Sequence, residues 1–282
     1  MSTLRVCVAS AVARAVTTSA ISIPTRRGDI GAAFRRLARS VPVEVLRVET
    51  ATGAMALLTG VSGLLPPDVP ARWDGATRRY VRGLWDRWWK KQPEFAGLVM
   101  PKDAWSLAGL RPQNHPVRRM AAAAALFRGA HALGETLAAV DGADPARWTA
   151  KTMALFTGAT GDSYWRRRLG LSCAPGRSDI ALLGEDRAAA ILCNVVVPFL
   201  VATDRVQRGA GELLGFLPPA HDDALARCTA FALFGRDYNP KFHRTALRQQ
   251  GLLQIFNDFC LGDRSACKSC GLPAVVAEMA RA

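Results

Sequence analysis

Residues 30–41 read I-G-A-A-F-R-R-L-A-R-S-V. Ala33, Phe34, Leu37, Ala38 and Val41 fall on one side of a helical projection, and Arg35, Arg36 and Arg39 fall opposite. That spacing is the stripe of a helix with one face in a core and a basic face in water, and Asp29 stands where a cap would start it. The same period recurs outward from this segment. It predicts helices over Val43–Leu65, ended by Pro66-Pro67; about Pro70–Lys91; Val117–Val140, with Pro116 in its first turn and Asn114 or His115 as cap; Pro145–Phe156; and Asp179–Val206, broken near Gly184 and bent at Pro198. Shorter helices follow over Gly209–Phe216 and Ala220–Phe234, and a last one over Thr245–Phe259 carries Leu252, Ile255, Phe256 and Phe259 on its apolar face. Alternating strand patterns and glycine-rich phosphate loops are missing. The expected fold is all-α: a loose leader over 1–27, a multi-helix globular domain over 28–259, and a cysteine-bearing tail over 260–282.

Charge is distributed unevenly. Of 282 residues, 37 are basic and 23 acidic, giving a formal +14. Residues 1–130 hold 20 basic and 8 acidic side chains, against 17 and 15 in the remainder. A basic half suits a polyanion partner, because phosphate contacts come from clustered Arg and Lys. Arg outnumbers Lys 31 to 6, so a compositional bias toward arginine on solvated faces is the competing explanation. The stretch Trp73, Tyr80, Leu84, Trp85, Trp88 and Trp89, set among Arg78, Arg79, Arg82, Arg87, Lys90 and Lys91, reads first as core and second as a base-stacking platform. Seven irregularly spaced cysteines do not form a secreted disulfide framework and fit a reducing cytoplasm. The longest nearly apolar run, Ala188–Ala202, contains Asn194 and Pro198 and is too short for a bilayer.

Two places concentrate chemistry. At the C-terminus, Cys260, Cys267 and Cys270 form C-x6-C-x2-C near Gly262 and Gly271, a spacing that suits zinc or an iron-sulfur cluster. A fourth ligand must come from elsewhere; Cys173, in a loop between Ser172 and Pro175, is the freest candidate, ahead of Cys193, Cys228 and His243. Three reduced thiols without metal are the alternative. The second place is W-S-L-A-G-L-R-P-Q-N-H-P-V-R-R, Trp105–Arg119, where Arg111, Asn114, Arg118 and Arg119 surround a helix start. They can bind an anion or nucleic acid, or instead brace buried carbonyls internally. Of the consecutive Arg166, Arg167 and Arg168, one is expected to turn inward.

Several segments together resemble an uncharacterised bacterial family, domain of unknown function 2851. They are L-T-G-V-S-G-L-L at 58–65, the 105–119 run, Tyr164-Trp165, I-L-C-N-V-V-V-P-F-L at 191–200, and the terminal Q-G-L-L-Q-I-F-N-D-F-C with its C-x-x-C. The resemblance implies an additional N-terminal domain like a metal-dependent PD-(D/E)XK nuclease, whose G-P-D-F-like and N-V-E-I-H-like runs this sequence lacks. By this resemblance the chain corresponds to the family's carboxyl-terminal helical half. The leading expectation is a cytoplasmic nucleic-acid-binding or accessory module, without catalysis of its own, beside a separate nuclease-like protein. A metal or iron-sulfur enzyme and a protein-interaction scaffold are the alternatives.

Overall fold

The computed structural model describes residues 30–128, 130–140, 144–159, 161–206, 210–219, 224–261 and 266–281. Among them the chain is all-α, without strands. The leader over 1–27 and the Asp29 cap lie outside the described residues. The chain divides into two compact units, Met1–Gln207 and Arg208–Ala282.

In the first unit, α1 (Ile30–Ser40) buries Ile30, Ala33, Phe34 and Leu37. The single helix expected over Val43–Leu65 is two, α2 (Val43–Val48) and α3 (Ala51–Val61). Thr50 makes the break, because its Oγ1 accepts from Gly53 N at 3.0 Å and starts a new helix. Every residue from Gly53 to Val61 is buried, so α3 is the central helix and packs against both α4 (Gly75–Phe95) and α5 (Pro116–Arg128). Trp88 of α4 lies directly over Gly60, where a Cβ would overlap the indole. The two helices approach closely because that position has no side chain. After α3, Gly63 takes a left-handed φ of 69° against the Met100 carbonyl, turning the chain toward the Pro66 stop.

Helix α4 starts later than the expected Pro70, because Asp74 is its N-cap and accepts from Thr77 N at 2.9 Å. Where the sequence predicts a helix over Val117–Val140, helix is described over Pro116–Arg128 (α5) and Ala130–Ala138 (α6), and residue 129 lies outside the described set. Trp148 of α7 (Pro145–Thr157) donates its indole N–H to Thr136 O at 2.8 Å, fastening α7 to α6. Helix α8 (Glu185–Ile191) widens into a π-turn over Leu192–Val196 before α9 (Val197–Ala202). Pro198 explains it, since proline has no N–H for the usual bond and its ring crowds the preceding turn, which one wider turn accommodates.

The second unit contains α10 (Ala210–Gly215), α11 (Ala224–Phe234), α12 (Ala246–Ile255), extended by a π-turn over Phe256–Cys260, and α13 (Leu272–Met279). Thr245 caps α12. Leu252 and Phe256 are buried, and Ile255 and Phe259 half-buried, on the apolar face read from the sequence. No helix among the described residues is long and apolar enough to cross a membrane.

Candidate functional site: a basic groove between α4 and the 163–175 segment

The aromatic stretch of α4 is mainly structural. Trp88 is 3% exposed, Trp73, Tyr80 and Trp85 are half-buried, and the Trp85 indole donates to Pro66 O at 2.7 Å. Only Trp89 is largely exposed.

One flank of α4, with Arg79, Tyr80, Gly83 and Arg87, faces Ser163, Tyr164, Arg166, Arg167 and Arg168 across a surface groove of about 640 Å³. Thr52, in the first turn of α3, also lines it. Five guanidinium groups therefore border one concavity. Arg168 is the inward member of its run, 6% exposed. Its two Nη atoms grip Asp74 at 2.8 and 3.0 Å, and Nη1 also donates to Cys173 O at 2.6 Å. Asp74 thus caps α4 and anchors Arg168 at once. The Thr77 backbone and hydroxyl donors, followed by Arg168, hold its carboxyl well below the usual carboxylate range.

Arg166 and Arg167 remain outside and share Asp179. Arg166 reaches one carboxylate oxygen at 2.9 and 2.5 Å, and Arg167 Nε the other at 3.1 Å. Arg87 folds back along its helix to donate to Gly83 O at 2.8 Å.

The tyrosines are built into the wall. Tyr80 and Tyr164 stack at 4.1 Å with rings 3° from parallel, and the Arg168 guanidinium sits 4.8 Å over Tyr164. A ring stacked at that distance fills one face, so Arg168 occupies the other. Tyr164 has no face left for a base. Its hydroxyl donates to Leu171 O at 2.7 Å, while Tyr80 accepts from the Trp165 indole at 2.9 Å and donates to Asp162. Burial raises both Tyr80 and Asp162 above their ordinary values, keeping this contact a phenol-to-carboxyl hydrogen bond.

The residues singled out at the 105–119 run behave differently from one another. Arg118 is 2% exposed. It donates Nη1 to Arg168 O, and Nη2 to Ala181 O at 2.8 Å and Ile180 O at 3.4 Å. A planar fork is suited to three carbonyls, and it holds the backbone of the groove's second wall. Arg119 donates to Asn114 Oδ1 at 3.0 Å, and burial together with Arg187 pulls its guanidinium down to about 10. His115 is the cap of α5, its Nδ1 accepting from Val117 N at 3.3 Å. Arg111 is exposed.

Cys260 closes the π-turn after α12, Cys267 lies in a 3-10 turn over Ala266–Ser269, and Cys270 follows it; none is disulfide-bonded. Cys173 belongs to the first unit, where its carbonyl holds Arg168. Among the described residues no three His, Cys, Asp or Glu side chains gather to hold a metal ion.

Sequence reading missed the groove itself. The signal present was the Arg166–Arg168 run beside Tyr164-Trp165, together with Arg79 and Arg87 at the spacing of two turns. A family model, Protein of unknown function (DUF2851), matches residues 30–213, a span that includes both walls of the groove. No curated protein and no solved structure matches the chain.

Proposed function

This chain belongs to the DUF2851 family, whose description names no activity, and we propose from its own geometry that it is a helical nucleic-acid-binding module. It acts as an accessory that holds a strand by its phosphates, in the service of a separate nuclease-like protein. The observation that carries the reading is the groove with five arginines and closed aromatic faces. Guanidinium forks match phosphate oxygens in geometry and charge. With Tyr164 sandwiched, the walls offer charge and hydroxyls rather than a stacking surface, so backbone contact dominates over base readout. The uneven charge of the chain supports the same partner, since the half with the larger excess contributes Arg79 and Arg87.

The test is fluorescence anisotropy with labelled single-stranded DNA and RNA oligonucleotides of mixed sequence over a salt series. Binding should weaken steeply with salt and depend little on sequence. The double variant Arg79→Ala/Arg87→Ala should bind more weakly and lose about 1 from the log-log salt slope per phosphate contact removed. Equal affinity and slope in the variant would remove the groove from the function.

A further inference from the structure

Three of the arginines that line the groove are paired with carboxylates outside its lining, and the pairs differ in character. Asp74–Arg168 is built in, with the arginine side chain 7% exposed and the carboxylate also serving as a helix cap. Asp179 with Arg166 and Arg167 is an exposed arrangement, with side chains 48%, 62% and 56% accessible. Its carboxylate lies across two neighbouring guanidiniums, one oxygen to each, an arrangement that two oxygens of a phosphodiester can reproduce. We propose that Asp179 is an internal occupant of a phosphate subsite, and that a nucleic-acid strand displaces it when it binds. This rests on the reading of the groove as a strand-binding surface and adds to it a resident competitor.

Displacement needs little motion. The backbone around Asp179 is pinned on both sides: Gly176 N donates to Arg167 O at 2.6 Å, Ile180 N donates to Arg166 O at 2.7 Å, and the Ile180 and Ala181 carbonyls are held by Arg118. With the backbone held on both sides, displacement falls to the Asp179 side chain. The interaction given up is one between exposed charges, which is weak, and the exchange of carboxylate for phosphodiester preserves the local charge. Hydrogen bonds from Arg166 and Arg167 hold the Asp179 carboxyl below its ordinary range, so it remains charged around neutrality.

The competitor leaves a signature that a merely structural aspartate would not. While Asp179 neutralises Arg166 and Arg167, these arginines neutralise fewer phosphates and release fewer of the counterions condensed on the strand. Asp179→Asn, and separately Asp179→Ala, should therefore bind the same single-stranded oligonucleotides about two- to fivefold more tightly at low salt, the range of an exposed ion pair. Their salt dependence should also be steeper, because more counterions are released. Unchanged or weaker binding in folded variants, verified by thermal melting, overturns the proposal. The outcomes separate the two levels. If Arg79→Ala/Arg87→Ala weakens binding but the Asp179 variants match the parent, the competitor is wrong and the groove stands. If the double arginine variant is also without effect, the groove reading itself fails.

Discussion

His115 shows how one side chain can make the fold sensitive to pH. Its imidazole accepts from Val117 N–H and so must be neutral at Nδ1. Burial lowers its pKa from the ordinary 6.5, disfavouring the charged ring in the folded state. The unfolded chain therefore binds the proton more readily. The contribution is complete above pH 6.5 and is lost as pH falls below it through the folded value. Melting temperature should decline between roughly pH 7 and roughly pH 5, and His115→Asn, which can cap without titrating, should decline less over the same interval. Parallel curves for the two proteins would place the acid sensitivity elsewhere. Arg118 is the opposite case, a permanent charge spent on three carbonyls. In the sequence it is indistinguishable from Arg119 beside it. Only the position of Ile180 and Ala181, more than sixty residues away, decides which of the two turns inward.

At the scale of elements, α4 meets two glycines of opposite consequence, Gly60 of α3 and its own Gly83. Gly60 of α3 faces the buried Trp88, and an added methyl would overlap the indole; Gly60→Ala should destabilise by about 1–3 kcal/mol, as overpacking does. At Gly83 the nearest atom to an added Cβ is Arg87 Nη1 at 3.5 Å, an ordinary contact. Gly83→Ala should stabilise by about 0.5–1 kcal/mol through helix propensity. Denaturant unfolding of both variants checks the pair, and the same sign for both would refute this account of the α3–α4 approach. The helical period and the buried stripe of α1 were legible in the sequence because both follow from local spacing. The break at Thr50 was not, since a threonine between hydrophobic turns reads equally well as helix interior. The wide turn before Pro198 was legible only as a bend.

At the scale of the whole molecule, the described residues form two units, each with its own buried cluster. The first centres on an extensive cluster including Phe34, Met55, Leu84, Met120, Phe127 and Trp165. The second has a cluster of Ala226, Ala230 and Leu252, flanked by Tyr238 and Leu253, while Phe231, Phe234, Val276 and Met279 stay exposed. Local stability follows buried apolar contact, so amides of α11 and α12 should exchange with solvent sooner than those of α3 and α4 in native-state hydrogen exchange. Equal protection would show that the second unit draws stability from more than this cluster. The candidate site was the least legible feature, because no local spacing reveals which arginines share a groove. Asp74 and Arg168 are 94 residues apart, and Tyr80 and Trp165 are 85 apart. Those separations carry a consequence in time. Closing so long a loop has an entropic cost that is offset only once the surrounding helices have packed. The groove is therefore among the last features of the first unit to form, and a nascent or refolding chain acquires its grip on anions only as that unit finishes folding.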